Sequence, residues 1–173
     1  FGKFDWKGVL ERMGEHFDER IRNQRVLTTP DHYAYLKISE GCNRTCSYCA
    51  IPIMTGKHKS RDFEELLEEC RALVKGGVKE ILVVAQDLTY YGIDLYGKNR
   101  LAELIGRIAD IEGLEWIKLH YAYPAGFPLE LLTVMRERPN VCKYLDIALQ
   151  HCSDHMLQQM RRGISKKQTI ELI

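Results

Sequence analysis

Residues 33–49 read YAYLKISEGCNRTCSYC, and this stretch carries two signals in succession. Its first part, from Tyr33 to Ile38, is aromatic and branched and follows Pro30, which predicts a β-strand after a proline stop. Its second part holds three cysteines, Cys42, Cys46 and Cys49, in the spacing C-x3-C-x2-C. The sequence therefore predicts a strand that leads directly into a loop of potential metal ligands.

Strands and helices alternate along the rest of the chain. Buried strands are predicted at Ile81–Ala85, Trp116–Leu119 and Tyr144–Leu149. Apolar residues at three-and-four spacing predict helices over residues 63–74, 101–108 and 131–135, and a fourth helix over residues 153–163. This alternation predicts an α/β fold with a parallel sheet and right-handed crossovers, wound either as an open layer or as a barrel.

The loops differ between the two ends of the predicted sheet. The connections from helix to strand are short, whereas those from strand to helix are long and polar and cover residues 39–59, 86–98 and 120–127. In barrels and doubly wound sheets the functional residues lie at the carboxyl ends of the strands. We therefore expect the site among these long loops.

Composition excludes some functions. The chain has 173 residues and a formal net charge of +1, so it lacks the general basic field typical of nucleic-acid binding. The basic run Lys57–Arg61 leaves three roles open: contact with RNA, contact with an acidic loop, or a solvated turn. The longest apolar run, Ile81–Ala85, is far below the ~18 residues of a membrane span. We expect a cytoplasmic protein without a membrane partner.

Three thiols in one short loop suit a single metal centre. Iron–sulfur clusters and zinc both bind thiolates, and His58 or His120 could complete a zinc site. Burial of the thiols as mere packing is disfavoured because the loop is polar, and disulfides are disfavoured because three cysteines cannot pair off. A four-iron cubane held by three cysteines keeps one iron free, as a catalytic metal site requires.

The other three cysteines show no such pattern. Cys70 lies on the apolar face of a predicted helix, and packing explains it. Cys142 is expected in a helix-to-strand turn at the opposite end of the sheet. Cys152, beside the end of the fourth strand, is expected to be a structural or incidental thiol.

The three-cysteine loop, with Tyr48 before its last cysteine, resembles the radical S-adenosylmethionine (radical SAM) superfamily. The runs Lys37–Pro52 and Gly56–Arg61 are similar to its methylthiotransferase branch. Three further runs resemble the enzymes that modify a ribosomal protein: Ala85–Gly92, Leu119–Pro124 and Leu149–Asp154. The tRNA-modifying relatives typically carry Gln-Asn-Val-Asn-Ser-Tyr where this chain has QDLTYY from Gln86.

The resemblance implies a partial TIM-like barrel of the radical SAM type in which Cys42, Cys46 and Cys49 hold a [4Fe-4S] cluster. The free iron would be chelated by S-adenosyl-L-methionine, and the reduced cluster would cleave this cosubstrate to a 5'-deoxyadenosyl radical. In the family this radical abstracts hydrogen from the β-carbon of an aspartate in the twelfth small-subunit ribosomal protein, which is then methylthiolated. An electron donor such as flavodoxin or ferredoxin is implied as a partner, and no catalytic side chain beyond the cluster is expected.

The resemblance also implies residues that contact the cosubstrate: Tyr48, Gln86, Asp87, Gln150, His151 and Arg161. Simpler roles remain open for most of them. Gln86 or Asp87 could cap the long loop, and Arg161 with its neighbour Arg162 could complement a helix dipole. His151, like His120, could be a structural imidazole, and Tyr90, Tyr91 and Tyr96 could contact substrate or merely hold their loop in place.

The domain boundaries follow from the same resemblance. Residues 1–29 are expected to be a linker from a missing N-terminal domain that carries an auxiliary [4Fe-4S] cluster, with an amphipathic helix over Glu11–Gln24. Residues 30–173 are expected to be the radical SAM core, truncated after four of six strand-helix units, within a helix started by a capping box at Ser165 and Gln168. Two alternative functions remain: a tRNA methylthiotransferase and a non-catalytic zinc-binding module.

Overall fold

A computed structural model describes residues 5–16 and 25–173 of the chain. Its strands are β1 (Tyr33–Lys37), β2 (Ser39–Glu40), β3 (Lys59–Ser60), β4 (Glu80–Val84), β5 (Trp116–Ala122) and β6 (Val141–Ile147). Its helices are α1 (Trp6–Arg12), α2 (Ile51–Thr55), α3 (Phe63–Lys75), α4 (Ile93–Tyr96), α5 (Leu101–Ala109), α6 (Glu130–Glu137), α7 (Asp154–Gln159) and α8 (Lys166–Leu172).

The main sheet is parallel and has the order β1-β4-β5-β6. Strands that are neighbours in this sheet therefore also follow one another along the chain. In a doubly wound sheet the order reverses at a switch point. No reversal occurs among these four strands, so of the two predicted windings the barrel type is the one observed.

The two faces of the sheet differ in character. One face is buried, and Leu36, Val83 and Leu119 from neighbouring strands join one core with helices α3, α5 and α6. On the other face Tyr35 and Trp116 are about half exposed. A parallel sheet normally has both faces covered. Helices along one face and a partly exposed second face are the arrangement expected for the wall of a barrel.

The strand boundaries correct two predictions. Strand β6 starts at Val141 rather than Tyr144 and ends at Ile147 rather than Leu149, so Cys142 lies within a strand and not in a turn. Asn140 accounts for the early start, because its side-chain amide donates to the carbonyls of Ala109 and Leu114 and anchors the start of β6 to the connection between α5 and β5. Strand β5 continues to Ala122, three residues beyond the predicted end.

The predicted helix over Glu11–Gln24 is contradicted at residues 13–16. Helix α1 spans Trp6–Arg12, and residues 13–16 are not helical. Gly14 has a φ of 79°, a left-handed conformation that ends helices and that glycine adopts most readily. Residues 17–24, the remainder of the predicted helix, lie outside the described residues.

The long loops have their own structure. Residues 39–60 contain the antiparallel ribbon β2–β3 and helix α2, and a 3-10 turn at Leu88–Tyr90 precedes α4. The loop tyrosines hold these segments together: the Tyr91 hydroxyl donates to the Arg61 carbonyl at 3.1 Å, and the Tyr96 hydroxyl accepts from the Phe63 amide at 2.9 Å. The capping box of α8 is confirmed, with Ser165 and Gln168 bonded in both directions. None of the described helices has the length and apolarity that crossing a membrane would need.

We expect the start of α3 to depend on Asp62. Its carboxylate accepts from the amides of Glu65 and Glu64, and these bonds hold its pKa below the usual 3.8. Replacing Asp62 with alanine should lower the free energy of unfolding by about 1 kcal/mol, whereas asparagine, which also caps helices, should cost less than about 0.5 kcal/mol.

This stabilisation should be pH-dependent. Because folding lowers the pKa of Asp62, its contribution is present above the unfolded pKa of about 4 and is lost as the pH falls through the folded value. Urea unfolding of wild type and Asp62→Ala at two or three pH values measures the difference. An Asp62→Ala penalty that stays constant down to about pH 3 would contradict the assignment.

Candidate functional site

The three cysteines of the loop line one cavity at the carboxyl ends of the strands. The cavity has a volume of about 240 Å³. Of the other predicted site residues, Tyr48, Gln86 and Gln150 also line it. The remaining lining residues are Arg44, Ile51, Tyr121, Ala122, Tyr123, Ala148 and Arg162. The sheet therefore brings together chain segments that lie more than 100 residues apart in sequence.

Glycine at position 41 permits the cysteine loop to start where it does. Gly41 has a φ of 79°, and a Cβ atom built there would lie 2.2 Å from the carbonyl oxygen of Lys57. The next residue, Cys42, donates its amide to the Gly56 carbonyl at 3.2 Å. The two ends of the loop therefore touch through their backbones, and any side chain at position 41 would separate them.

The middle of the loop docks on the end of helix α7. The Ser47 amide donates to the Met160 carbonyl at 3.2 Å, and the Ser47 hydroxyl donates to the Gln159 carbonyl at 2.8 Å. The last carbonyls of a helix have no partner within it, so these bonds also complete α7. Ser47 therefore holds its neighbours Cys46 and Tyr48 against the segment that follows α7.

Burial shifts the pKa of two groups at the cavity, Cys42 and Tyr123. Burial raises the pKa of the Cys42 thiol, while the Arg44 amide, 3.4 Å from its sulfur, acts in the opposite direction. Burial also raises the pKa of the Tyr123 hydroxyl, which lies 3.6 Å from the sulfur of Cys46. Tyr123 therefore remains a neutral donor near the cavity at physiological pH.

Gln86 and Gln150 reach the cavity from the ends of β4 and β6. The Gln86 side chain donates to Glu40, and its own carbonyl oxygen is buried without a hydrogen-bond partner in the described part of the chain. Gln150 has a φ of 70°, and Tyr121, on the same cavity, has a φ of 68°. Left-handed conformations are strained for residues other than glycine, and such strain concentrates at functional sites.

Three predicted contacts lie outside the cavity lining. Asp87 is buried and its carboxylate accepts from the Thr89 amide and hydroxyl and from Nε of Arg44, at 2.9, 2.6 and 2.8 Å. His151 is exposed, and its Nδ1 accepts from the Ser153 amide. Arg161 is exposed, and its neighbour Arg162 lines the cavity instead. Their predicted role in cosubstrate binding remains a prediction.

The histidines considered for zinc also lie elsewhere. His58 is buried, where burial lowers its pKa, and its Nε2 lies 3.2 Å from the Ser60 hydroxyl. His120 pairs with Asp146, with 3.4 Å between Nδ1 and Oδ2. Neither lines the cavity with the cysteines. Within residues 5–16 and 25–173, no group of three or more His, Cys, Asp or Glu side chains is arranged around a single metal ion.

The cysteines outside the loop lie apart from the cavity. Cys70 is fully buried in the core, and burial raises the pKa of its thiol to about 12. The packing role predicted for it is therefore confirmed. Cys152 is exposed and does not line the cavity, and Cys142 lies near the amino end of β6.

The sequence patterns missed three residues of the site: Arg44, Tyr123 and Arg162. Both guanidinium groups pack on the ring of Tyr123, at 4.0 Å for Arg44 and 4.1 Å for Arg162 from its centroid. Their position in the sequence could have indicated two of these site residues, because Arg44 lies between two cysteines and Tyr123 follows a strand. For the adjacent pair Arg161 and Arg162 only the tertiary structure shows which side chain points inward.

Comparison with known proteins agrees with this geometry. Residues 36–173 match the radical SAM superfamily. The chain belongs to the radical SAM superfamily.

Curated relatives extend the match of this radical SAM chain over all 173 residues. The ribosomal protein uS12 methylthiotransferases RimO of Porphyromonas gingivalis and of Bacteroides fragilis are each 65% identical to it, and that of Flavobacterium johnsoniae is 50% identical. The predicted resemblance to methylthiotransferases is confirmed. The chain covers about 40% of the length of each of these relatives.

Solved structures confirm the fold class. The radical S-adenosylmethionine methyltransferase TsrM from Kitasatospora setae, with tryptophan and a SAM analogue bound, has a TM-score of 0.64 over 86% of this chain and 31% of its own, at 15% identity. The cobalamin-dependent S-adenosylmethionine radical enzyme OxsB has a TM-score of 0.60 over 80% of this chain and 21% of its own, at 16% identity. At these identities the likeness concerns the fold alone.

The residues of the cavity fit an anionic iron–sulfur centre. Thiolates are the usual ligands of such clusters, and each cysteine of a cubane binds a different iron, so the three sulfurs need not converge on one point. Arg162 adds a buried positive charge beside Cys46, at 3.3 Å from its sulfur. The three thiols and the local positive charge therefore both suit an anionic iron–sulfur cluster.

Proposed function

We propose that this chain is the central part of a methylthiotransferase that binds a [4Fe-4S] cluster and S-adenosyl-L-methionine and methylthiolates an aspartate of ribosomal protein uS12. The observation that carries the proposal is the single cavity that contains Cys42, Cys46 and Cys49 together with Tyr48, in a chain 65% identical to RimO proteins. When bound, the reduced cluster would supply the electron that cleaves the cosubstrate to methionine and a 5'-deoxyadenosyl radical.

The chain's own residues would bind and orient these groups. The three cysteines would hold three irons and leave the fourth for the cosubstrate. Gln86, whose buried carbonyl oxygen has no hydrogen-bond partner among residues 5–16 and 25–173, and Gln150 offer hydrogen-bonding groups at the same cavity. The ring of Tyr48, about half exposed, offers a surface for an adenine base or for the cluster.

A second cavity, next to the first, offers space for the acceptor aspartate of the substrate. It has a volume of about 360 Å³, includes Lys37 and Val84, and shares Ile51, Gln86 and Tyr121 with the cysteine cavity. Both cavities lie at the same end of the sheet. An acceptor side chain there would be adjacent to the cosubstrate, as hydrogen abstraction by a short-lived radical requires.

The remainder of the reaction would need parts outside this chain. We propose that residues 1–29 link to an N-terminal domain with an auxiliary [4Fe-4S] cluster, and that residues 30–173 are the core of the barrel. This proposal rests on the relatives, of whose length the chain covers 40%. Flavodoxin or ferredoxin would supply the electron, and the reaction would take place in the cytoplasm.

Two alternatives remain as outcomes of the tests. A tRNA methylthiotransferase of the MiaB type would use the same cluster on a different substrate. A zinc-binding module would need a fourth ligand at the cysteine cavity, and His58 and His120 do not line it.

Anaerobic reconstitution separates iron from zinc. We expect this chain to take up about four irons with three cysteines and to give a brown protein with cluster absorption. A chain that binds one zinc and no iron would overturn the proposal.

The substrate is tested with the full-length protein. Incubated with S-adenosyl-L-methionine, a reductant and either uS12 or tRNA, it should add a methylthio group to the ribosomal protein, which mass spectrometry detects. Modification of tRNA alone would overturn the assignment to uS12 and leave the radical chemistry in place.

A further inference from the structure

Two arginines, Arg44 and Arg162, pack on one aromatic ring beside the three cysteines. Tyr123 follows strand β5 and is 7% exposed. The Cζ atom of Arg44 lies 4.0 Å from the centroid of its ring, and that of Arg162 lies 4.1 Å away. Cation–π contacts at these distances stabilise both guanidinium groups and fix their planes. Two positive charges are therefore held close to one another beside the cavity.

The two arginines differ in how their charges are balanced. Arg44 forms an ion pair with the buried carboxylate of Asp87, at 2.8 Å. Arg162 is only 3% exposed, yet in the described part of the chain no carboxylate lies within 4 Å of it. A buried charge without a counter-ion is costly and is normally paired. Arg162 therefore has no counter-ion among the residues that the structure describes, although its burial favours one.

The contacts of Arg162 point to where that anion belongs. Its Nη1 donates to the sulfur of Cys46 at 3.3 Å and to the hydroxyl of Tyr48 at 3.2 Å. Its Nη2 donates to the carbonyl of Ala148, whereas its Nε is buried without a partner in the described residues. The guanidinium thus lies against a cysteine that would carry negative charge as a thiolate ligand.

The position of Arg162 does not depend on its own side chain. The Tyr123 hydroxyl donates to the Arg162 carbonyl at 2.6 Å, and the Arg162 amide donates to the Leu157 carbonyl at 2.9 Å. The carbonyl of Met160, two residues before Arg162, accepts from the Ser47 amide of the cysteine loop. The backbone around Arg162 is therefore tied to β5, α7 and the loop, so side-chain substitutions can be tested in a folded chain.

We propose that Arg162 is a positioning residue that orients Cys46 and Tyr48 and places a buried positive charge against the cluster, which makes the cluster easier to reduce. This inference rests on the proposed function, since it presupposes a bound [4Fe-4S] cluster. Reduction adds a negative charge, and a fixed cation in a poorly solvated site favours the more negative state. Arg44 does not have this effect to the same extent because Asp87 neutralises it.

The reduction potential of the reconstituted cluster tests the proposal without any turnover. The variants are Arg162→Gln, which removes the charge, and Arg162→Lys, which keeps it. Arg136→Gln is the matched control, because Arg136 lies on α6 with a side chain 78% exposed. Each protein is titrated anaerobically with dithionite and mediators in the absence of cosubstrate, and the reduced cluster is measured by electron paramagnetic resonance.

We expect Arg162→Gln to shift the ratio of oxidised to reduced cluster at least tenfold toward the oxidised form at a given potential, which is about 59 mV for one electron. In Arg162→Lys the ratio of oxidised to reduced cluster should remain within about threefold of the wild-type ratio. In Arg136→Gln this ratio should not change. A wild-type potential in Arg162→Gln at normal iron content would overturn the proposal. Equal shifts in Arg162→Gln and Arg162→Lys would overturn the role of charge.

Iron uptake provides a second measurement if Arg162→Gln binds too little iron for a titration. In that case Arg162→Lys should restore at least half of the wild-type iron content, while the melting temperatures of the iron-free proteins stay equal. An Arg162→Lys protein with no more iron than Arg162→Gln would overturn the proposal. Failure of the proposed function is distinct, because then the wild-type chain itself would take up no iron.

Discussion

Iron uptake is expected to fall to background when Cys46 is replaced with alanine. Cys46 lines the cavity together with Cys42 and Cys49, and the three thiolates would each bind one iron of the cluster. A cubane left with two cysteines exposes two irons to solvent and chelators. We therefore expect the loss of both iron and cluster absorption after anaerobic reconstitution, measured by iron analysis and visible spectroscopy.

Cys152→Ala is the matched control for this experiment. Cys152 is exposed, lies at the same end of the sheet and does not line the cavity. Its replacement should leave the iron content unchanged, and the iron-free forms of both variants should melt at the wild-type temperature because neither side chain belongs to the core. Normal iron content in Cys46→Ala would show that the cysteine loop is not the cluster site.

Replacing Asp87 with alanine is expected to lower the free energy of unfolding by about 3 kcal/mol or more. Asp87 is 1% exposed and accepts hydrogen bonds from the Thr89 amide and hydroxyl and from Arg44. Its removal leaves the Arg44 charge beside Tyr123 without a counter-ion and the Thr89 amide without an acceptor. Removing the buried partner of an ion pair, together with a buried hydrogen-bond acceptor, is among the more destabilising substitutions.

An exposed ion pair provides the control. Glu115 pairs with Lys79 at 3.1 Å, and both side chains are at least half exposed. Glu115→Ala should change the free energy of unfolding by less than about 1 kcal/mol, because solvent screens such pairs. Equal effects of Asp87→Ala and Glu115→Ala in urea unfolding would contradict the structural role of Asp87. Wild-type stability of Asp87→Ala combined with weaker cosubstrate binding would instead favour the contact predicted from sequence.

The alternation of strands and helices was predictable because each buried strand is a short apolar run and each helix repeats its apolar residues at three-and-four spacing. Core positions such as Leu36, Ile81 and Leu104 follow from that pattern, and all three are fully buried. The ends of the elements were less predictable. Side chains distant in sequence decide them, as when Asn140 bonds to Ala109 and Leu114 and allows β6 to start at Val141.

In the site, too, local sequence predicts one part and the tertiary structure supplies the rest. The cysteine loop could be identified from local sequence because its three cysteines lie within a run of eight residues. Its surroundings could not, since Tyr123 and Arg162 reach it from other strands and loops. The loop tyrosines Tyr91 and Tyr96 were ambiguous in sequence, and the structure resolves them as residues that hold the loops together.

The βα alternation, the long loops at one end of the sheet and the three thiols of one loop follow from local spacing and could be predicted from it. The winding of the sheet, the start of β6 and the choice between Arg161 and Arg162 become visible only in the folded chain. Those outcomes depend on contacts between segments distant in sequence. Arg162 is buried against Cys46 while Arg161 is exposed, because the turn after α7, held by Ser47 and Tyr123, directs only one of two adjacent side chains inward.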